Sequence, residues 1–363
     1  MAADRPPADA LSHVAMAVLL PDLPADALGH VLYRVPTAFQ IGGAAPTSKA
    51  FRDASLLALK AWPYSGEVVT LAGHTHAVEC VAVAPDGRVI TGSFDGTVKV
   101  WLNGACERTI QAHTDAVAVL PGGARFVSVS LDGTAKLWTL DGVLERTFEM
   151  GNNTVLCVTA LPDGVHFVVG LGDGPNRGEF RLYHVDGTLV HTFKGHTNRV
   201  YAAPVEAVAV TPDGQHIISG SVDTLVKVWS VATKSLVSTC AGRTLVCAVV
   251  AMPDNQRFLS GGYDKTVRVW LLDGTLQNTF ELHTGAMTGL VALPDSQHAL
   301  SGSFDRRVKL FNVNDGAVLR TFKHHTSQVT SLALLPDGLR FVSGSDDNTA
   351  RIVYHGLAPQ AKK

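Results

Sequence analysis

The sequence predicts an all-β fold, a closed seven-bladed β-propeller preceded by a short α-helical N-terminal segment. Three observations lead there. One phrase is rewritten seven times between residues 67 and 354. Its copies recur every 37 to 46 residues, the period of four-stranded propeller blades. A spare copy of the outer-strand phrase stands ahead of the first full repeat, where it can close a ring.

The phrase is clearest from Val89 through Thr91, Gly92, Asp95 and Gly96 to Trp101. Its aspartates align at Asp95, Asp132, Asp173, Asp223, Asp264, Asp305 and Asp347. The third strand then ends on Trp101, Trp138, Tyr183, Trp229, Trp270, Phe311 and Val353. Before the phrase comes an inner strand such as Cys80-Val81-Ala82-Val83, apolar on both faces as a buried strand is. The turn between them is Pro85-Asp86-Gly87, with counterparts from Pro162, Pro212 and Pro336 and variants from Pro121, Pro253 and Pro294. Proline presets φ and glycine or asparagine accepts the left-handed conformation, so each is a turn with a mechanism. Asp95-Gly96 and its equivalents make the second hairpin turn, and turns such as Asp141-Gly142 lead to an outer strand. That strand reads Glu107-Arg108-Thr109-Ile110 in the first unit and Leu319-Arg320-Thr321-Phe322 in the sixth. The seventh copy, Val68-Val69-Thr70-Leu71, precedes the first unit, so residues 67–71 are expected to complete blade 7 and remove its free edge.

These residues resemble the WD-repeat family. Gly73-His74 and Gly195-His196 match its Gly-His signature, Ala112-His113, Leu282-His283 and His324-His325 are weaker versions, and the terminal Trp matches its Trp-Asp end without the Asp. The resemblance implies a hydrogen-bonded line of His, Ser or Thr, Asp and Trp in each complete blade. Three sets map onto the sequence: His74, Thr91, Asp95 and Trp101; His113, Ser128, Asp132 and Trp138; His196, Ser219, Asp223 and Trp229. Recurrence blade after blade argues against a catalytic triad. Blade 5 lacks the His, and blade 3 departs furthest from the pattern.

Residues 20–66 change to helical spacing. Leu28, Val31, Leu32 and Val35 share one face, with Pro24 in the first turn and Pro36 ending the run. A second run carries Phe51, Ala54, Leu57 and Ala58. Two such short helices need a surface to cover their apolar stripe. The order Leu23-Pro24, Leu28, Val31-Leu32, Val35-Pro36, then Lys49-Ala50-Phe51-Arg52 resembles an F-box, although Gly42 to Pro46 depart from that family's larger apolar residues. The resemblance implies contact with the adaptor subunit of a cullin-type ubiquitin ligase through Leu23, Pro24, Leu28, Val31, Leu32, Pro36 and Phe51. A structural cap on the propeller is the alternative. Residues 1–19 and 355–363 are expected to be disordered.

Composition narrows the function. A net charge of −2 and a pI near 6.7, without a run of like charges, leave no electrostatic footprint for nucleic acid or an anionic membrane. Five cysteines without a C-x-x-C pair suit free thiols, hence the cytoplasm or nucleus. Val14 to Leu20 has the length of a signal-peptide core, but Asp4 offsets Arg5 where a basic stretch is needed. No P-loop, H-E-x-x-H, G-x-S-x-G or clustered metal ligands occur, so no enzyme, metal or cofactor is expected. What remains is a monomeric scaffold that binds proteins, either as a ligase substrate receptor or in another assembly. The expected partner face carries the turn aspartates, each preceded by an apolar residue at Phe94, Leu131, Val222, Tyr263 and Phe304. Arg177, Arg199 and Tyr201 on loop extensions would add to it, and Arg306 and Arg307 could hold a phosphorylated segment.

Overall fold

A computed structural model describes residues 68–112, 115–176, 178–197 and 203–357. The chain divides into two compact units, Met1–Glu67 and Val68–Lys363. The first lies outside the described residues, and with it the two expected helices and the F-box-like positions Leu23, Pro24, Leu28, Val31, Leu32, Pro36 and Phe51.

The second unit is a seven-bladed propeller of four-stranded antiparallel sheets, as the repeat predicts. Blade 1 shows the plan: Val78–Val83 innermost, then Val89–Ser93, Thr97–Leu102 and Ala105–Gln111 outermost. Every inner strand packs on the next, and blade 7 packs back on blade 1, so the ring is closed. Closure comes from Val69–Ala72, which pairs antiparallel with Thr349–Tyr354, Val69 opposite Ile352 and Ala72 opposite Thr349. The closing strand begins and ends slightly later than residues 67–71 suggest, and Leu71, fully buried, is its anchor in the core. Packed chain also runs past residue 354. His355 is buried, its backbone N–H donates to the Leu339 carbonyl at 3.0 Å, and its Nε2 lies 2.8 Å from the Gly338 carbonyl oxygen.

The core lies between blades. Phe126 and Trp138 of blade 2 pack with Ile90 and Val100 of blade 1, and the same arrangement recurs around the ring. Close approach needs a residue without a side chain on the second strand. A Cβ on Gly344 would come within 3.0 Å of Val78, and one on Gly170 within 2.9 Å of the Val205 carbonyl oxygen. The Asp-Gly turns need a left-handed residue, which Gly96 and Gly133 supply with φ of 80° and 85°. Thr224, Lys265, Arg306 and Asn348 adopt it at φ of 65–72° despite their side chains.

Candidate protein-interaction face

All seven Asp-containing turns lie at one end of the blades, because each joins the end of a second strand to the start of a third. The inner strands begin at that end too, as the pairing of Val78 with Ser93 shows. Behind the turns sits the polar line. In blade 1 the Trp101 Nε1–H donates to Thr91 Oγ1 at 2.8 Å, His74 Nε2 lies 2.7 Å from the same hydroxyl, and His74 Nδ1 lies 2.8 Å from Asp95 Oδ2. One proton assignment satisfies every group: indole to hydroxyl, hydroxyl to Nε2, and Nδ1–H to carboxylate, with a neutral imidazole. Burial lowers the His74 pKa more than Asp95 raises it, in keeping with that neutral ring. Burial would raise Asp95, but hydrogen bonds from Thr97 and His74 outweigh it and hold the carboxyl at about 2. Blade 4 repeats the geometry with His196 2.7 Å from Ser219 and 3.0 Å from Asp223, and Trp229 donating to Ser219 at 2.9 Å. In blade 2, Trp138 donates to Ser128 at 2.9 Å and Thr134 donates to Asp132, while His113 lies outside the described residues.

Two further lines escape a sequence reading that requires the Trp. His283 joins Ser301 and Asp305, both at 2.9 Å, in a blade whose third strand holds Phe311. His325 joins Ser343 at 2.7 Å and Asp347 at 2.8 Å in the blade that holds Val353. The weaker dipeptides Leu282-His283 and His324-His325 were the available signal. In blade 5, which lacks the His, Arg268 reaches Asp264 at 2.6 Å. Blade 3 holds its loop differently: buried Asn153 donates to the Met150 carbonyl and accepts from the Asn176 N–H at 2.9 Å.

The Ser/Thr, His and Asp distances match those of a hydrolytic triad, yet the chemistry is blocked. Thr91, Ser219 and Ser301 are fully buried, and in the Trp-bearing blades the hydroxyl oxygen already accepts from an indole. No substrate carbonyl can reach such an oxygen. Among the described residues, no group of three or more His, Cys, Asp or Glu is placed to hold a metal ion.

The residues ahead of the turn aspartates are different in kind. Phe94 is 60% exposed, Leu131 and Tyr263 50%, and Phe304 36%, while Val222 is half-buried. Tyr263 and Phe304, on adjacent blades, meet edge to face at 6.1 Å between centroids and still present surface. Blade 7 places Asp346 at this position and blade 3 places Gly172. Arg306 leans toward blade 7, its Nη1 3.4 Å from the Thr326 carbonyl, and the Arg307 N–H donates to Asp305 at 3.1 Å. Arg177, Arg199 and Tyr201 lie outside the described residues.

Inside this rim is a feature the sequence did not announce. Six inner strands carry a bulge after their first residue, which leaves Glu79, Leu156, Glu206, Cys247, Thr288 and Thr330 unpaired with the second strand. Two of them reach across to the neighbouring blade at the mouth of the channel that the inner strands line: Thr288 Oγ1 donates to the Val329 carbonyl at 2.6 Å and Thr330 Oγ1 to the Val78 carbonyl at 2.5 Å. Glu79 is half-buried, and burial, then the charges of Asp346 and Asp115, raise its pKa to about 7. Burial and then Asp173 raise Glu206 in the same way. Burial, then Cys247 and Glu206, raise the Tyr263 phenol, which ties the rim to the mouth.

Comparison with known proteins agrees with the architecture. A family model described as "WD domain, G-beta repeat" matches residues 65–101, 104–139, 187–230, 234–270, 274–312 and 316–353, more than half of the chain. The gap is blade 3, where Asn153 replaces the histidine line. The chain is 30% identical over 178 residues to the human angio-associated migratory cell protein, covering 46% of this chain and 38% of that protein. It is 31% identical over 178 residues to rat apoptotic protease-activating factor 1, covering 46% and 14%. It is 31% identical over 203 residues to periodic tryptophan protein 2 of Arabidopsis thaliana, covering 52% and 21%. The matched region spans less than two-fifths of each of these relatives.

Proposed function

This chain belongs to the WD-repeat family, whose propellers are in general interaction scaffolds, and from that premise we propose that it holds a partner protein on the face of the turn aspartates. The supporting observation is the row Phe94, Leu131, Tyr263 and Phe304, large apolar side chains left in water on rigid turns. Exposed apolar rings on a fixed scaffold lose little conformational entropy on binding, and aromatic anchors dominate interfaces. The hydroxyls and histidines behind them are sealed structural groups, so the chain is read as a non-catalytic scaffold without a cofactor. Replacing Phe94, Tyr263 and Phe304 together by alanine should leave the melting temperature near that of the parent and abolish partner capture. A folded triple variant that retains every interaction overturns this assignment.

The segment before the propeller gives this scaffold a place in an assembly. Residues 20–66 bind the adaptor subunit of a cullin-type ubiquitin ligase, and the propeller presents the substrate. What supports this is the order Leu23-Pro24, two apolar pairs, Pro36, then Lys49-Ala50-Phe51-Arg52, since a structural cap needs an apolar stripe and neither Pro24 nor Phe51-Arg52. Leu28→Asp with Leu32→Asp should abolish adaptor binding while the propeller's melting temperature stays put. Loss of propeller stability in place of binding makes the segment a cap.

A further inference from the structure

We propose that blade 3 binds a divalent late transition-metal ion such as Zn²⁺ through His166 and His184, at the end of the blades opposite the turn aspartates. The inference does not depend on the partner face.

His166–Leu171 and Glu179–His184 are the second and third strands of blade 3, and they pair with His166 opposite His184. The His166 N–H donates to Asp163 Oδ1 at 2.9 Å and the His184 N–H to the Thr188 carbonyl at 2.9 Å, so neither reaches across to the other strand. Cross-strand residues that share no hydrogen bond are the closer kind, with Cα atoms about 4.5 Å apart. The imidazoles accordingly lie 5.0 Å apart between ring centres, inclined at 68°. Two imidazoles that share one tetrahedral Zn²⁺ through bonds of about 2.0–2.1 Å have their centres about 5 Å apart. Edge-to-face packing alone gives a similar distance, and the outer contacts of the rings separate the two cases.

His166 Nδ1 lies 2.6 Å from Asp163 Oδ2, and His184 Nδ1 lies 2.9 Å from Asp186 Oδ1 and 3.2 Å from the Asp186 backbone nitrogen. A carboxylate oxygen beside Nδ1 puts the proton on that nitrogen, because the other tautomer sets two lone pairs against each other. Nε2 of each ring then carries the free lone pair, and among the described residues neither Nε2 has a hydrogen-bond partner. Metal-bound histidines are held in this way, the far nitrogen donating to a carboxylate that orients the ring and raises its basicity. Both rings are half-buried, so an ion can reach them from solvent. Arg146 of blade 2 packs on Gly187 and brings one positive charge near, but Asp163 and Asp186 outnumber it.

The facing pair is peculiar to this blade. Other blades place arginine at the first position or, as with His216 opposite Ser230 and His298 opposite Asn312, a histidine that meets no second one. In blade 6 His298 Nδ1 still meets Asp295 at 2.7 Å, so the turn contact is general and only the second ring is new. Both histidines stand in the stretch, 140–186, that the repeat-family model leaves unmatched. Two protein donors leave the remaining positions of the ion open to water or to a donor on another molecule.

The test strips the full chain with a chelator and titrates it with Zn²⁺ by isothermal titration calorimetry, with Mg²⁺, which prefers oxygen ligands, as the control. The expected result is one Zn²⁺ per chain and a melting temperature that rises with Zn²⁺ but not with Mg²⁺. His166→Asn and His184→Asn should each weaken binding by at least about tenfold, and Asp163→Asn, a positioning change, by about tenfold. His298→Asn should leave it as in the parent. Cu²⁺ should bind more tightly than Zn²⁺, and its electron paramagnetic resonance spectrum should show two nitrogen donors in the parent and one in either histidine variant. Melting of the metal-free variants checks that they fold, and the two histidines lie on different strands, so each variant tests the site separately. Absence of Zn²⁺ binding, binding that survives both histidine substitutions, or a copper spectrum with the same nitrogen count in parent and variants overturns the inference.

Discussion

Replacing His74 by alanine isolates the value of one polar line. The imidazole is buried and bridges Thr91 and Asp95, so its loss removes two hydrogen bonds, worth about 1 kcal/mol each. It also opens space beside Trp101, whose ring meets the imidazole edge-on at 6.3 Å, for about 1–2 kcal/mol more. No charge is stranded, because Asp95 keeps the Thr97 hydroxyl at 2.6 Å, the Thr97 N–H at 2.9 Å and the Thr75 N–H at 3.1 Å. The expected cost is therefore about 3–4 kcal/mol, with no further penalty from an orphaned buried carboxylate. For a propeller of this size that is roughly 5–8 °C in melting temperature. Urea unfolding followed by tryptophan fluorescence measures it, with exposed His76→Ala as the control, expected within about 0.5 kcal/mol of the parent. A pH series adds a second check. Burial depresses the His74 pKa in the folded state, so as pH falls below the ordinary value of 6.5 the unfolded chain takes the proton first and stability drops. The variant should lose that part of the acid sensitivity. Equal losses at His74 and His76, or a His74 cost under about 0.5 kcal/mol, would refute the hydrogen-bonded line as a source of stability.

Glu79→Gln should stabilise the propeller in alkaline solution and do little near pH 4.5: the folded pKa of about 7 lies above the ordinary 4.5, so the penalty is absent in acid and complete once pH passes 7. The shift sets a ceiling of about 3 kcal/mol, reduced to roughly 1–2 by solvent at the channel mouth, and a gain identical at pH 4.5 and 8.5 in calorimetry would show that the carboxyl is not strained. Excising residues 68–72 removes the outer strand of blade 7 and the buried Leu71, leaving the Thr349–Tyr354 edge open. Size-exclusion chromatography should then find oligomers and melting should drop by about 10 °C or more, whereas a monomer with unchanged melting removes ring closure from the account.

Some of the candidate site was legible in the chain and some was not, for identifiable reasons. Phe94, Leu131, Tyr263 and Phe304 stand out in sequence because each precedes a turn aspartate whose neighbours are small or polar, and their exposure is what such a turn position gives. His283 and His325 were harder to place in working lines, since the Trp that usually completes the set is Phe311 or Val353. The hydrogen bonds to Ser301 and Ser343 survive because the histidine and aspartate need only each other and the hydroxyl. Arg268 shows the same freedom: any long donor in reach of Asp264 will serve.

What the sequence by itself determined is the repeated part: seven blades, their turns, the displaced outer strand and the face on which the aspartates gather. These follow from alternation, turn chemistry and a fixed period, all local to a unit of about forty residues. Only the tertiary structure decided the channel mouth. Glu79 and Glu206 are 127 positions apart in sequence, and within its own strand each looks like one polar residue among apolar ones. Backbone bulges leave both unpaired with their second strands, blade 2 sets the charge of Asp115 near Glu79, and ring closure adds that of Asp346. A pKa is set by the whole surroundings of a group, and those surroundings exist only once the last blade has closed on the first.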